Sequence, residues 1–181
     1  MFDSAWSVIL LFALVCLAVN IFMYLIGWYG YGKRGMYARN RYLPPGFLIG
    51  FVWIGIFATL GYAFYLAYTG DPNVNATGKV MNPKKWNRAC YLIVVVAVYC
   101  LAYPILTMFV PEKYIPLLNL IALFMAAALS IVVMSECLAA FWYTLPLLVW
   151  TAYVNFADVM QYGDLLEKYG LVQPGMPIKN M

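Results

Sequence analysis

From Tyr114 to Ala157 the chain carries one charged residue, Glu136, in an apolar run too long for one membrane-crossing helix. An α-helix rises 1.5 Å per residue and a bilayer's hydrocarbon core is about 30 Å thick, so about 20 residues cross it. The run must therefore fold back once. Ser135-Glu136 is the natural turn, predicting helices over Ile115 to Met134 and Leu138 to Tyr162. Three further apolar runs precede it, Ala5 to Tyr29, Pro45 to Tyr68 and Ala89 to Val110. They are separated by turn signals: Pro44-Pro45, Asp71-Pro72, Gly78, Asn82-Pro83 and Pro111-Glu112-Lys113. The expected fold is all-α, a single domain of five transmembrane helices, with a solvated tail from Gly163 to the C-terminus.

Composition agrees with lipid as the solvent. Apolar residues make up 66% of the chain and charged residues 10%, against about 25% charged in an ordinary soluble domain. The runs are too long and too continuously apolar for membrane β-strands, which alternate over about ten residues. The first run follows Asp3 and is far longer than the apolar core of a signal peptide, so it reads as a retained span. The net charge of +4 is spread over the gaps, with Lys33, Arg34, Arg39 and Arg41 in one and Lys79, Lys84, Lys85 and Arg88 in another. That placement follows from the cost of an ion in hydrocarbon and forms no nucleic-acid stripe. The basic bias favours a cytosolic C-terminus. Cys16, Cys90, Cys100 and Cys137 lie in or beside the apolar runs, where they read as small apolar fillers and not as a disulfide framework. Histidine is absent, which removes the commonest general base and metal ligand, and no metal site is expected.

Several side chains are candidates for chemistry. Trp53, Phe57 and Phe64 share one side of the second helix, Tyr99 and Tyr103 one side of the third, and Trp150 projects from the fifth. Aromatic faces turned into a bundle can stack on a flat ligand, although such faces also fill cores and interfacial belts. Asn119, Asn155 and Asp158 are polar groups within the apolar runs, and an ionisable group in a span is a functional candidate by default. Glu136 reads as a turn residue. Gly46 and Gly50, four apart, allow close helix approach. Val159, Tyr162 and Lys168 fit a permissive sterol-contact pattern. Asn75-Ala76-Thr77 is a glycosylation sequon, relevant only in a secretory lumen. No lysine lies inside a span, which sets aside a retinal Schiff base, and the spans hold too few charges for an ion-selective ring.

The stretch Tyr42-Leu43-Pro44-Pro45-Gly46-Phe47-Leu48-Ile49-Gly50-Phe51-Val52-Trp53, followed by Gly61-Tyr62, resembles the signature of the translocator protein family. That family is also called the tryptophan-rich sensory or peripheral-type benzodiazepine receptor family. Phe51 replaces the proline of the family's Gly-Pro-Val-Trp, and Tyr42 replaces its leading tryptophan. Ala102-Tyr103-Pro104 is similar to the family's Ala-Trp-Pro, preceded by Cys100-Leu101 where the family has Asn-Trp. Pro146 and Trp150 match its Pro-x-x-x-Trp, followed by Asp158 in place of the usual asparagine.

The resemblance implies a receptor and candidate transporter for hydrophobic planar molecules (porphyrin, haem, sterol) bound inside the bundle under the loop between helices 1 and 2. It implies ligand contacts at Pro44, Pro45, Gly50, Trp53, Phe57 and Tyr62. From the later helices it adds Tyr99, Tyr103, Trp150, Val154 and Asp158. It also implies an outer mitochondrial or bacterial envelope location and a homodimer, although the third helix, its dimer face, contains no glycine. Porphyrin or haem would be a bound ligand, with no obligatory cofactor. Two alternatives stand beside this reading. One is light- and oxygen-dependent porphyrin breakdown with Trp53 and Trp150 as redox-active neighbours, and the other is a structural subunit of a larger membrane complex.

Overall fold

A computed structural model describes residues 4–26, 40–69, 86–111 and 114–168, and among them every regular element is an α-helix. The helices are α1 (Ala5–Leu25), α2 (Gly46–Thr69), α3 (Arg88–Phe109), α4 (Ile115–Glu136) and α5 (Leu138–Lys168). The expected first-helix end at Tyr29, the turn signals from Asp71 to Pro83 and the Asn75 sequon lie outside the described residues, as does the tail beyond Lys168. The first four helices are each long and apolar enough to cross a membrane. The fifth does not reach that apolarity, because its sequence is interrupted by Thr144, Thr151, Asn155 and Asp158.

Local chemistry sets each helix end. The Pro45 carbonyl accepts from Leu48 N at 2.9 Å and Ile49 N at 3.2 Å, starting α2 directly after the double proline. Asn87 caps α3 by accepting from Cys90 N at 2.8 Å, while its amide donates to Ala67 O of α2 at 2.7 Å. A second open N–H at the start of α3, on Ala89, donates to Glu136 Oε2 at 3.0 Å. Glu136 is thus a last-turn residue of α4 that places an acceptor where the dipole of α3 favours one. The fold-back falls at Cys137, one residue past the expected Ser135-Glu136. Its N–H closes α4 on Val133 O at 2.7 Å, and its carbonyl opens α5 by accepting from Ala140 N at 3.1 Å and Phe141 N at 3.2 Å. One residue serves both helices.

Successive helices run antiparallel. α2, α3, α4 and α5 close a ring in which α2 and α4 each touch both α3 and α5, and α1 packs on α2 with a lighter touch on α3. Lipid tails are as apolar as the helices, so close fit, and not expulsion of water, holds such helices together. The α1–α2 seam is built for it. A Cβ added at Gly61 would stand 3.0 Å from both Ile9 Cα and Val8 O. At Gly50 it would meet only the Asn20 side chain, at 3.2 Å. Outward faces are apolar, with Leu10, Leu14, Val95, Val98, Phe124 and Val149 all exposed.

The polar residues of α5 turn inward. Thr144, Thr151 and Asp158 are all buried and spaced seven apart, so one face of the helix carries them against α4. Ser130 of α4 lies 3.3 Å from the Thr144 hydroxyl. Asn155 donates to Asn119 O across the seam at 3.0 Å and to Thr151 O at 2.8 Å. The helix continues past Tyr162, its expected end, to Lys168. At 31 residues it is about 46 Å long, more than a hydrocarbon core requires.

Candidate functional site

The end of the bundle where α1 and α3 finish and α2 and α4 begin gathers most of the interior polarity. Asp158 is its centre and is 9% exposed. The Asn119 amide donates to Asp158 Oδ2 at 2.6 Å, and the Asn40 amide donates to Asp158 Oδ1 at 3.4 Å and to Ala157 O at 3.3 Å. Tyr103 of α3 donates its hydroxyl proton to Asn119 Oδ1. One network therefore joins α3, α4, α5 and the segment before α2. Such a network is costly to leave half-made in a medium without water.

Next to it a clasp holds the segment Asn40–Leu43 on α5. Asn40 Oδ1 accepts from Tyr42 N at 3.0 Å, shaping the turn. The Tyr42 hydroxyl accepts from Arg41 Nη2 at 2.7 Å and donates to Asp164 Oδ2 at 2.9 Å, while Arg41 pairs with the same carboxylate oxygen at 2.7 Å. Tyr153 donates to the Tyr42 carbonyl. The hydrogen bond to Tyr42, and then the charge of Asp164, raise the Arg41 guanidinium above its ordinary value, so it stays charged at any accessible pH.

The expected aromatic faces divide. Trp53 and Trp150 are half-buried and pack against the core from α2 and α5, two helices in contact. Trp53 lies 6.2 Å from the Phe57 ring and Trp150 lies 5.6 Å from Tyr153. Phe57 is fully buried in the core, and Phe64 packs 5.9 Å from Phe12 of α1. The Tyr99 hydroxyl donates to Leu118 O at 2.8 Å. With Tyr103 it fastens α3 to α4. Tyr62 meets Tyr143 edge-on at 4.5 Å, and lies nine residues from Trp53, about 13 Å toward the opposite end. Pro44 is partly covered and Pro45 exposed, Gly50 faces Asn20 of α1, and Val154 is half-buried one turn past Trp150.

This arrangement combines a tryptophan-flanked interior with a polar cluster and a clasped connection at one end. A family model described as the TspO/MBR family matches residues 7–161. The chain belongs to the TspO/MBR family. No curated protein and no solved structure matches it. It is an integral, multi-pass membrane protein of that family.

Some expected site residues do not join this end of the interior. Val159 is 69% exposed and Tyr162 62% exposed, so the sterol pattern faces outward along α5, and the Lys168 side chain lies outside what is described. Conversely, Asn40, Arg41, Tyr153 and Asp164 were not readable as site residues. Asn40 and Arg41 sit in a polar stretch where one more polar residue carries no signal. Asp164 follows a glycine in a segment that reads as tail. Asn119 and Asn155 could be found, because each interrupts an apolar run.

Proposed function

We propose that this TspO/MBR protein is a membrane receptor for flat hydrophobic molecules of the porphyrin, haem and sterol class, held within the α2–α5 ring and able to be carried across the membrane. The observation that carries the reading is the pair Trp53 and Trp150, half-buried on touching helices and matching the family's tryptophan positions. Indole faces stack on conjugated or fused rings and quench when they do. In this reading α5 is a fifth span, its polar face satisfied by α4. The basic bias then puts the clasped end and the C-terminus in the cytosol, in an outer mitochondrial or bacterial envelope membrane, and homodimerisation is the expected assembly.

The test is a titration of the detergent-solubilised protein with protoporphyrin IX and with cholesterol, followed by tryptophan fluorescence. Saturable quenching that disappears in the Trp53→Phe/Trp150→Phe double variant supports the pocket. Unchanged affinity in that variant rejects it. Illumination in air during the same titration separates the light-dependent alternative, which requires loss of the porphyrin absorption band in wild type and not in the double variant. A tag on each terminus, reported on opposite sides of the membrane, tests the odd number of spans.

A further inference from the structure

Tryptophan and tyrosine favour the boundary between hydrocarbon and headgroups, where a flat apolar ring and a polar N–H or O–H are both accommodated. Their exposed members here gather at two heights. Trp6, Trp86 and Trp142 are all exposed, and contacts with one turn of α2 bring them level. The α1 backbone at Val8 and Ile9 lies against Gly61, the Trp86 ring meets Phe64 at 5.4 Å, and Tyr143, beside Trp142, meets Tyr62 edge-on. At the opposite end Tyr24, Tyr114 and Tyr162 are exposed. Asn20 against Gly50 sets that level one turn before Tyr24. The Asn119–Asp158 hydrogen bond sets it about one turn inside Tyr114 and Tyr162. Between the two heights the outward side chains are hydrocarbon, with Leu10, Leu14 and Ile21 on α1 and Val149, Phe156 and Val159 on α5. Tyr153, exposed on the same stretch of α5, gives its hydroxyl proton to the Tyr42 carbonyl.

We propose that the chain seats in a phospholipid bilayer through two girdles, tryptophan at Trp6, Trp86 and Trp142 and tyrosine at Tyr24, Tyr114 and Tyr162. Trp6 and Tyr24 are eighteen residues apart on α1, and Trp142 and Tyr162 twenty apart on α5, which is about 27 and 30 Å of helix. A helix outside the ring and one within it thus return nearly the same spacing, and it is the thickness of a hydrocarbon core. The placement rests on α5 as a span and involves no interior ligand. It fixes the depth of the polar groups. Asp164 stands two residues past Tyr162, so the Arg41–Asp164 pair lies among the headgroups. Asp158 stands four residues before Tyr162, about 6 Å inside the boundary, where its oxygens take their donors from protein.

The test reconstitutes single-tryptophan chains, keeping Trp6, Trp86 or Trp142 with the other indoles changed to Phe, in phosphatidylcholine brominated near the headgroup or near the chain end. Two further probes start from the chain with all six tryptophans changed to Phe. They are Tyr162→Trp in the second girdle and Val149→Trp, at an exposed position about 10 Å along α5 from Trp142. Girdle positions should be quenched at least about twofold more strongly by the shallow bromine than by the deep one, and Val149→Trp should reverse that order. Stronger deep quenching at Trp142 or Tyr162→Trp, or no difference between girdle and mid-helix positions, overturns the placement. Native indoles beyond the reach of both lipids overturn it too, and put a second copy of the chain over them. Wild type supplies a reading free of substitutions: its unfolding midpoint across phosphatidylcholines of graded chain length should peak where the hydrocarbon core is about 27–30 Å. A flat profile, or a peak in much thinner bilayers, overturns the spacing. The receptor reading is decided separately, by the titration at Trp53 and Trp150.

Discussion

At the scale of single residues, two glycines on α2 have unequal surroundings. An alanine at position 61 meets backbone atoms of α1 at 3.0 Å, and backbone yields only by moving the helix. Gly61→Ala should therefore cost about 1–3 kcal/mol, read as a lower unfolding midpoint in mixed detergent. Gly50→Ala meets a side-chain oxygen at 3.2 Å that can turn aside, and should cost less than about 1 kcal/mol. Asp158 offers a sharper contrast. Asp158→Leu takes the acceptor from the Asn119 amide and leaves the Asn40 amide only the Ala157 carbonyl; an unmade buried bond costs about 1–3 kcal/mol, and a loss in that range is expected by the same assay. Asp158→Asn keeps one acceptor and should fall well short of that loss. Asp158 and Asn119 were visible in the sequence as polar breaks in apolar runs. Their partnership was not, since it depends on how α4 and α5 meet. Phe57 shows the converse problem: it shares a helix face with Trp53, but spacing does not reveal that it is wholly buried while Trp53 is only half-buried.

Among the helices, the α2–α3 junction shows how ends are secured. Asn87 caps α3 and ties it to α2 with one side chain, and Glu136 reaches the same helix end from α4. Asn87→Ala should cost about 1–2 kcal/mol, and Asn87→Asp, which keeps the acceptor and loses the donor, should recover part of it. Amide exchange at Cys90 would report the lost cap directly. Helix positions were largely legible, because charge is expelled from hydrocarbon and so marks the boundaries, whereas Pro104 and Pro146 lie inside α3 and α5. α5 runs on from the expected end at Tyr162 to Lys168. Once a helix leaves the apolar layer, nothing in hydropathy stops it, and here Asp164 is drawn in by Arg41 and Tyr42.

Across the whole molecule, one end is polar and clasped, and at the other Cys137 alone joins α4 to α5. The clasp has a strong and a weak part. Arg41 and Asp164 are 66% and 31% exposed, so water screens their attraction. A double-mutant cycle with Arg41→Ala and Asp164→Ala should give a coupling barely above the error of the measurement. Coupling between Asn40→Ala and Asp158→Ala, measured the same way, should be larger because both side chains are buried.

The single-residue joint at Cys137 has a consequence for biosynthesis. With so little chain between them, α4 and α5 cannot be threaded into a bilayer as separate events in the proposed five-span arrangement, because no hydrophilic segment exists to wait on the far side. They would enter the bilayer together, as a hairpin. Thr144 and Asn155 of α5, poor candidates for solitary partitioning into oil, would then arrive already matched to Ser130 and Asn119. A spacer of a few glycines inserted after Cys137 would uncouple that partitioning and strand the second arm outside.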